Sequence, residues 1–283
     1  MAEGIDPRLL ALNVFESVRE FARWQDACMC IEEDGILLVA GASESPLGYA
    51  NCALRVDSAV DAKLVLERAV PFFADQERGF TLWVRAGADE DLEAAALRQG
   101  LRAVSESPWM VLDAALPECA PPEGIEVRRV TDAAGVRDAA EVNADAYQSL
   151  AFAAEDVRAI YARPERALEP NVAIFVGYAD GVPVSTATAL QTAGVGGVYW
   201  VGTREPRRTK GFAAACTRAA VNHAFLGGAR VVTLQATRMG ESLYRRLGFR
   251  TVAAHRWLMA AIARHTSVWV SLFTPLGEVA LVL

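Results

Sequence analysis

Val201-Gly-Thr-Arg-Glu-Pro-Arg-Arg-Thr-Lys-Gly-Phe-Ala-Ala-Ala-Cys216 decides the reading of this chain. It continues Gly197-Val-Tyr-Trp-Val-Gly-Thr203, whose apolar run predicts a buried strand. It then enters an Ala-rich segment that predicts a helix over Phe212 to Leu226. Strand, short loop and helix in that order aim main-chain N–H groups at whatever lies over the helix start. Four amides there lack intrahelical partners, and the macrodipole is positive. Gly211 and Ala213 are small enough to let a ligand approach the backbone. Arg207, Arg208 and Lys210 add positive charge, and a diphosphate suits all three features.

A second segment lies downstream. Val231-Val-Thr-Leu-Gln-Ala236 predicts a strand by its β-branched content, and Gly240-Glu-Ser-Leu-Tyr-Arg-Arg-Leu-Gly-Phe249 a short helix stopped at Gly248. Together the two segments carry a family resemblance. Arg208-Thr-Lys-Gly-Phe-Ala213 fits the Arg/Gln-x-x-Gly-x-Gly/Ala signature of the GCN5-related N-acetyltransferases. The second segment resembles that family's strand-helix-Tyr-x-x-x-Gly-Phe element. The six-residue signature alone has little specificity; its position between strand and helix, with the second element in register, gives it weight.

The resemblance implies a mixed α+β fold of two tandem acetyltransferase-like domains. Each would hold a central, mostly antiparallel sheet that splays at the cofactor strand and is flanked by helices. It implies acetyl-CoA as acyl donor and no metal. The pantetheine would meet the backbone of Val201 and Thr203 like an added strand. Arg207, Arg208, Thr209, Lys210, Gly211, Phe212 and Ala213 would hold the pyrophosphate. Tyr244 would be the general acid. Relatives often place an Asn after the strand preceding this helix; this chain has Thr237-Arg-Met-Gly240 there, with Ser242 as the substitute contact. Relatives also often carry a Glu on the cofactor strand, and this strand has no carboxylate. Glu205 is the nearest substitute for the base; Glu141, Asp145, Glu241 or a water relay stay open.

Composition sets outer bounds. At 283 residues the chain holds one or two domains, and 53% hydrophobic content supports real cores. A net charge of −7 argues against a general nucleic-acid binder. The five cysteines are odd in number and irregularly spaced, and the N-terminus shows no targeting-type apolar run. They read as reduced thiols of a cytoplasmic protein. Cys28-Met-Cys30 reads as two side chains packed on one strand face, and the three histidines show no metal-site spacing. No stretch suits a bilayer; Thr266 to Leu283 is apolar but broken by Pro275, Gly277 and Glu278, so two short strands are expected. Whether those strands finish a sheet or pair with a second chain as a homodimer is open at this stage.

The layout repeats. Around the Pro-rich Leu116–Gly124, an ungapped offset of 148 positions matches Arg98, Gly100, Arg102, Val104 and Trp109 with Arg246, Gly248, Arg250, Val252 and Trp257. The first copy lacks both chemical features. Its loop, Asp57-Ser-Ala-Val-Asp61, has no glycine and two carboxylates, and Ala96 stands where Tyr244 stands in the second. This divides the chain into a degenerate domain over 1–118, a linker over 119–124 and an acetyl-CoA-binding domain over 125–283. An unrelated α+β domain is the alternative for the first part. A helix is expected over Ala59 to Ala74, capped by Asp57 or Ser58. The expected function is transfer of an acetyl group to an amine of a small molecule or protein; the alternative is a non-catalytic acyl-CoA sensor.

Overall fold

The computed structural model describes residues 6–46 and 48–260. The strands expected in Thr266 to Leu283 lie outside them. The first half runs α1 (Pro7–Arg23), β1 (Met29–Glu33), β2 (Ile36–Ala40), β3 (Asn51–Arg55), α2 (Ala62–Asp75), β4 (Phe80–Arg85), α3 (Glu90–Arg98) and β5 (Arg102–Leu112). The second runs β6 (Glu126–Arg129), α4 (Ala133–Tyr147), α5 (Ala154–Ile160), β7 (Val172–Ala179), β8 (Val182–Thr192), β9 (Val195–Thr203), α6 (Phe212–Leu226), β10 (Val231–Gln235), α7 (Arg238–Arg246) and β11 (Arg250–Ala260). The offset read from the sequence recurs in the structure: α3 and α7, and β5 and β11, begin and end 148 positions apart.

These strands form one sheet in the order β1-β2-β3-β4-β11-β5-β10-β9-β8-β7-β6. Its pairs are antiparallel except β3 with β4 and β9 with β10. The halves exchange their last strands. β11 pairs with β4 and β5, and β5 reaches across to β10. Trp257 sits opposite Trp83 in that exchange, their rings stacked 5.0 Å apart. The segment between β5 and β6 is a strap on α6. Leu116 N–H donates to Asn222 Oδ1 at 2.8 Å, and Asn222 Nδ2 donates back to Leu116 O at 2.9 Å. Arg218 donates to Pro117 O at 2.6 Å.

One face of the sheet buries α1, α4 and α5 with an aromatic-rich core; α6 and α7 cover the other face beside β10, and α2 and α3 cover it beside β4. α1 belongs to the first half in sequence but packs on strands of the second. Asn13 Nδ2 donates to Leu190 O and Val195 O at 3.1 and 3.2 Å, and the Tyr199 hydroxyl donates to Asn13 Oδ1 at 2.7 Å.

Three sequence expectations are corrected. The reading assigned nothing before Asp26, yet Asp6-Pro7 caps and opens α1, with Asp6 Oδ1 accepting from Arg8 N–H at 2.9 Å. The helix expected from Ala59 starts at Ala62, capped by Asp61. Asp57 instead accepts from Ala59 N–H at 2.9 Å, an Asx turn that delays the helix by three residues. Cys28 and Cys30 do not both pack: Cys28, half-buried before β1, rests against the aromatic-rich core, and Cys30 is exposed on β1. β1 is an edge strand exposed on both faces, so no partner layer covers Cys30.

Candidate active site

The cleft forms where β9 and β10 part. They pair over Val195–Gly197 and Val231–Thr233, after which β9 leaves β10 and runs on to Thr203 beside β8. Pairing with β8 explains its path. Thr186 faces Gly202 while Thr188 faces Tyr199, so β9 holds one extra residue there. The bulge turns Trp200 into the left-handed region at φ 51°. That conformation is uncommon for a bulky residue and tends to occur next to functional sites.

Beyond the bulge the chain makes a single 3-10 turn over Glu205–Arg207, and Gly211 then opens α6 with φ 81°. Gly211 gives α6 no side-chain cap, and the first intrahelical bond runs from Ala215 N–H to Gly211 O. The amides of Phe212, Ala213 and Ala214 therefore precede the hydrogen-bonded ladder. The equivalent helix of the first half is filled by its own chain: Asp61 Oδ1 accepts from Lys63 N–H at 2.7 Å at the start of α2. The corresponding splay of β3 and β4 is also occupied. Arg55 reaches Asp89 and Asp91 at 2.8 and 2.7 Å, and Arg85 holds Asp89 at 2.7 Å.

Over the second splay lies a cleft of about 500 Å³. Val201, Thr203, Arg207, Arg208, Thr209, Gly211, Phe212, Ala213, Ser242 and Tyr244 all line it. Lys210 and Glu205 are exposed and do not. A hollow of about 710 Å³ under the strap also touches Gly211, but it runs outward along α6 past Arg218 and Asn222, away from Tyr244. The smaller cleft is the one in which charge, open amides and a titratable hydroxyl meet.

Arg208 has a second task. Its Nε donates to Thr203 O at 3.2 Å, and its Nη2 to Ala146 O and the Ser149 hydroxyl at 3.0 and 2.9 Å. It thus ties the end of α4 to the end of β9 and sets the width of the cleft mouth. Arg207 is 4.0 Å from Asp180, an exposed carboxylate. Thr237, which stands where relatives often carry Asn, caps α7 by accepting from Gly240 N–H at 2.7 Å. Ser242 follows one turn on and faces the cleft.

Tyr244 closes the inner end. It is 7% exposed and lines the cleft. Burial pushes its pKa well above the ordinary tyrosine value, so it keeps its proton through the neutral range. A Schellman ending fixes the helix that carries it: Gly248, at φ 97°, donates to Arg245 O and Phe249 to Tyr244 O, both at 3.0 Å.

Among the lining residues there is no Asp, Glu, His or Lys. The other carboxylates considered for the base are paired elsewhere: Glu141 with Arg158 at 2.8 Å, Asp145 with Arg204 at 3.2 Å and Glu241 with Arg245 at 2.6 Å. The sequence reading missed Tyr147, Ser149, Met239 and Arg246, which also line the cleft. Arg246 offered a signal, being next but one to Tyr244 on a short helix. Tyr147 offered none, since its place depends on how α4 docks on β9.

Comparison with known proteins agrees with this geometry. Residues 139–249 match the model of the Acetyltransferase (GNAT) family. Among solved structures, a GCN5-related N-acetyltransferase from Kribbella flavida is 23% identical, with TM-score 0.65 over 91% of this chain and 96% of that one. One from Sphaerobacter thermophilus is 19% identical, with TM-score 0.59 over 90% and 91%. A tandem GNAT protein from the clavulanic acid biosynthesis pathway is 15% identical, with TM-score 0.59 over 83% and 84%. At these identities the likeness concerns the fold. No curated protein matches the sequence. Among the described residues no helix is long and apolar enough to cross a membrane, and no group of His, Cys, Asp and Glu could hold a metal ion.

Proposed function

We propose that this protein transfers an acetyl group from acetyl-CoA to an amine, and that the first half is a degenerate copy of the catalytic half. The observation that carries this reading is the uncapped start of α6, open at Gly211 to a cleft that also holds the β9 bulge and Tyr244. The residues fit a diphosphate. The amides of Phe212 to Ala214 and the Arg207 guanidinium supply donors and charge, and Gly211 keeps side-chain bulk away. Acetyl-CoA supplies a thioester carbonyl. The Val201 amide at the bulge is the donor for the oxygen that gains charge.

The amine nitrogen bonds to the carbonyl carbon as the carbon–sulfur bond breaks, and the electron pair stays on sulfur. Tyr244 gives its proton to that thiolate. The nitrogen loses a proton to water, since no lining side chain is a base at neutral pH. Tyr244 then regains its proton from solvent. The degenerate copy is supported by its blocked splay: Asp61 and the Arg55–Asp89 cluster fill the places that stay open in the second half.

The same lack of a lining carboxylate also favours a second reading, a sensor that binds acyl-CoA without turnover. Calorimetry with acetyl-CoA, together with thiol release over a panel of amines, separates them. Micromolar binding with amine-dependent thiol release supports the transferase, binding without release the sensor. Absence of binding removes both.

A further inference from the structure

On the sheet face opposite α6, three polar groups without partners converge on the β9 bulge. Asn143 and Tyr147 stand one turn apart on α4, and Trp200 is the bulged residue itself. All three are at most 3% exposed. Asn143 Oδ1, the Tyr147 hydroxyl and Trp200 Nε1 have no hydrogen-bond partner among the described residues. The Asn143 amide is oriented from its other end, where Nδ2 donates to the Tyr161 hydroxyl at 2.8 Å. Its Oδ1 rests on Gly202, at a place where a Cβ would collide with it.

Aromatic rings surround these atoms. Tyr147, Tyr49 and Tyr161 lie 5.4, 5.5 and 5.7 Å from Trp200. Tyr147 lines the cleft as well, so the cluster adjoins the space where Tyr244 stands. Buried polar atoms are nearly always paired, and each exception calls for an explanation. Three exceptions in one place, beside a strained bulge at the edge of a catalytic cleft, mark a ligand-binding position.

We propose that Asn143, Tyr147 and Trp200 form the acceptor subsite, and that the acceptor is a primary amine on an aromatic body bearing its own hydrogen-bond acceptor. This rests on the acetyl-transfer reading above and specifies its substrate. Asn143 Oδ1 and the Tyr147 oxygen accept the two N–H bonds of a neutral amine. That leaves the nitrogen lone pair facing the bulge, where the carbonyl is to be attacked. Trp200 Nε1–H can only donate, so the ligand must bring an oxygen or ring nitrogen to it. Tyr147, Tyr49 and Tyr161 pack tilted or edge-on about Trp200, and a flat apolar body suits contact with such rings. The α4 carboxylates Glu141 and Asp145, two positions before Asn143 and two after it, are already paired with Arg158 and Arg204. A polyamine or a lysine-bearing peptide would bring charge that nothing here balances.

The test uses the full chain with acetyl-CoA and three acceptors: 4-(aminomethyl)benzamide, spermidine and a lysine peptide. Thiol release should give a kcat/KM for the aromatic amine at least tenfold above the other two. Tyr147→Phe removes the hydroxyl alone. It should raise KM for the aromatic amine at least tenfold and leave the acetyl-CoA Kd unchanged. It should also leave Tm unchanged or higher, because it deletes an unpaired buried group. A merely structural hydroxyl would lower Tm without moving KM. Preference for spermidine or the peptide, or an unchanged KM in Tyr147→Phe, overturns the subsite while leaving the transferase standing. Failure to bind acetyl-CoA overturns both readings.

Discussion

Gly211 combines two demands that no other residue type meets. Its φ of 81° strains any L side chain, and a Cβ there would lie 3.1 Å from Pro122 Cγ on the strap. Gly211→Glu also places a carboxylate where the proposed diphosphate would sit. We expect it to raise the acetyl-CoA Kd at least 100-fold, about 2.7 kcal/mol by the logarithmic relation of affinity to free energy, with calorimetry as the check. Tyr244 makes a different prediction. Tyr244→Phe should lower kcat by roughly 10²–10⁴-fold, the range of general acid catalysis, at nearly constant Kd for acetyl-CoA. The sign with pH follows from burial. A raised pKa keeps the acid protonated further into the alkaline range, so activity should hold past about pH 10, the ordinary tyrosine value. An alkaline limb well below that value would argue against Tyr244 as the donor.

Helix starts and splayed strand pairs carry the contrast between the two halves. In the first half Asp89, 1% exposed, precedes α3 and binds Arg55 and Arg85. Thr237 holds the same place, 148 positions on, and leaves the cleft open. Burial disfavours the Asp89 carboxylate, but hydrogen bonds and charge from Arg85, then from Arg55, hold its pKa below the usual range. Asp89→Ala strands buried guanidinium groups and should cost about 3–5 kcal/mol in urea denaturation. A depressed folded-state pKa means that this stability is present above the unfolded value, near 3.9, and is lost as pH falls through the folded one. The wild type should therefore lose more stability between pH 5 and pH 2 than Asp89→Asn does. Equal losses would show that the cluster is not the acid-labile element.

The whole molecule is tied together by exchange. β11 sits between β4 and β5, β5 reaches β10, and α1 packs on β8 and β9. Separate unfolding of the halves would break a sheet through its middle. We expect one calorimetric transition whose van't Hoff and calorimetric enthalpies agree. Two resolved transitions would mean that the shared strands contribute little coupling.

Much of this was legible residue by residue. The Ala-rich run gave α6 its observed limits, Phe212 to Leu226, because helix propensity and the flanking glycines are local signals. Asp180-Gly181, the turn between β7 and β8, is likewise a local signal, since Asp-Gly suits a hairpin turn and both residues take positive φ. Asp6-Pro7 was an equally local signal for α1, present but unread. The start of α2 was misplaced because two aspartates compete there, and only the Asx turn at Asp57 decides between them.

Sequence alone determined the residues of the proposed cofactor side of the cleft: a small residue at 211, basic neighbours and a tyrosine four positions before Gly248 are written in the chain itself. Tertiary structure decided which strand lies beside which, because a strand's period of two is the same whatever neighbour it takes. It also decided that Tyr147 and Asn143 meet the bulge at Trp200. No spacing in the chain encodes that meeting, which exists only once α4 docks across β9.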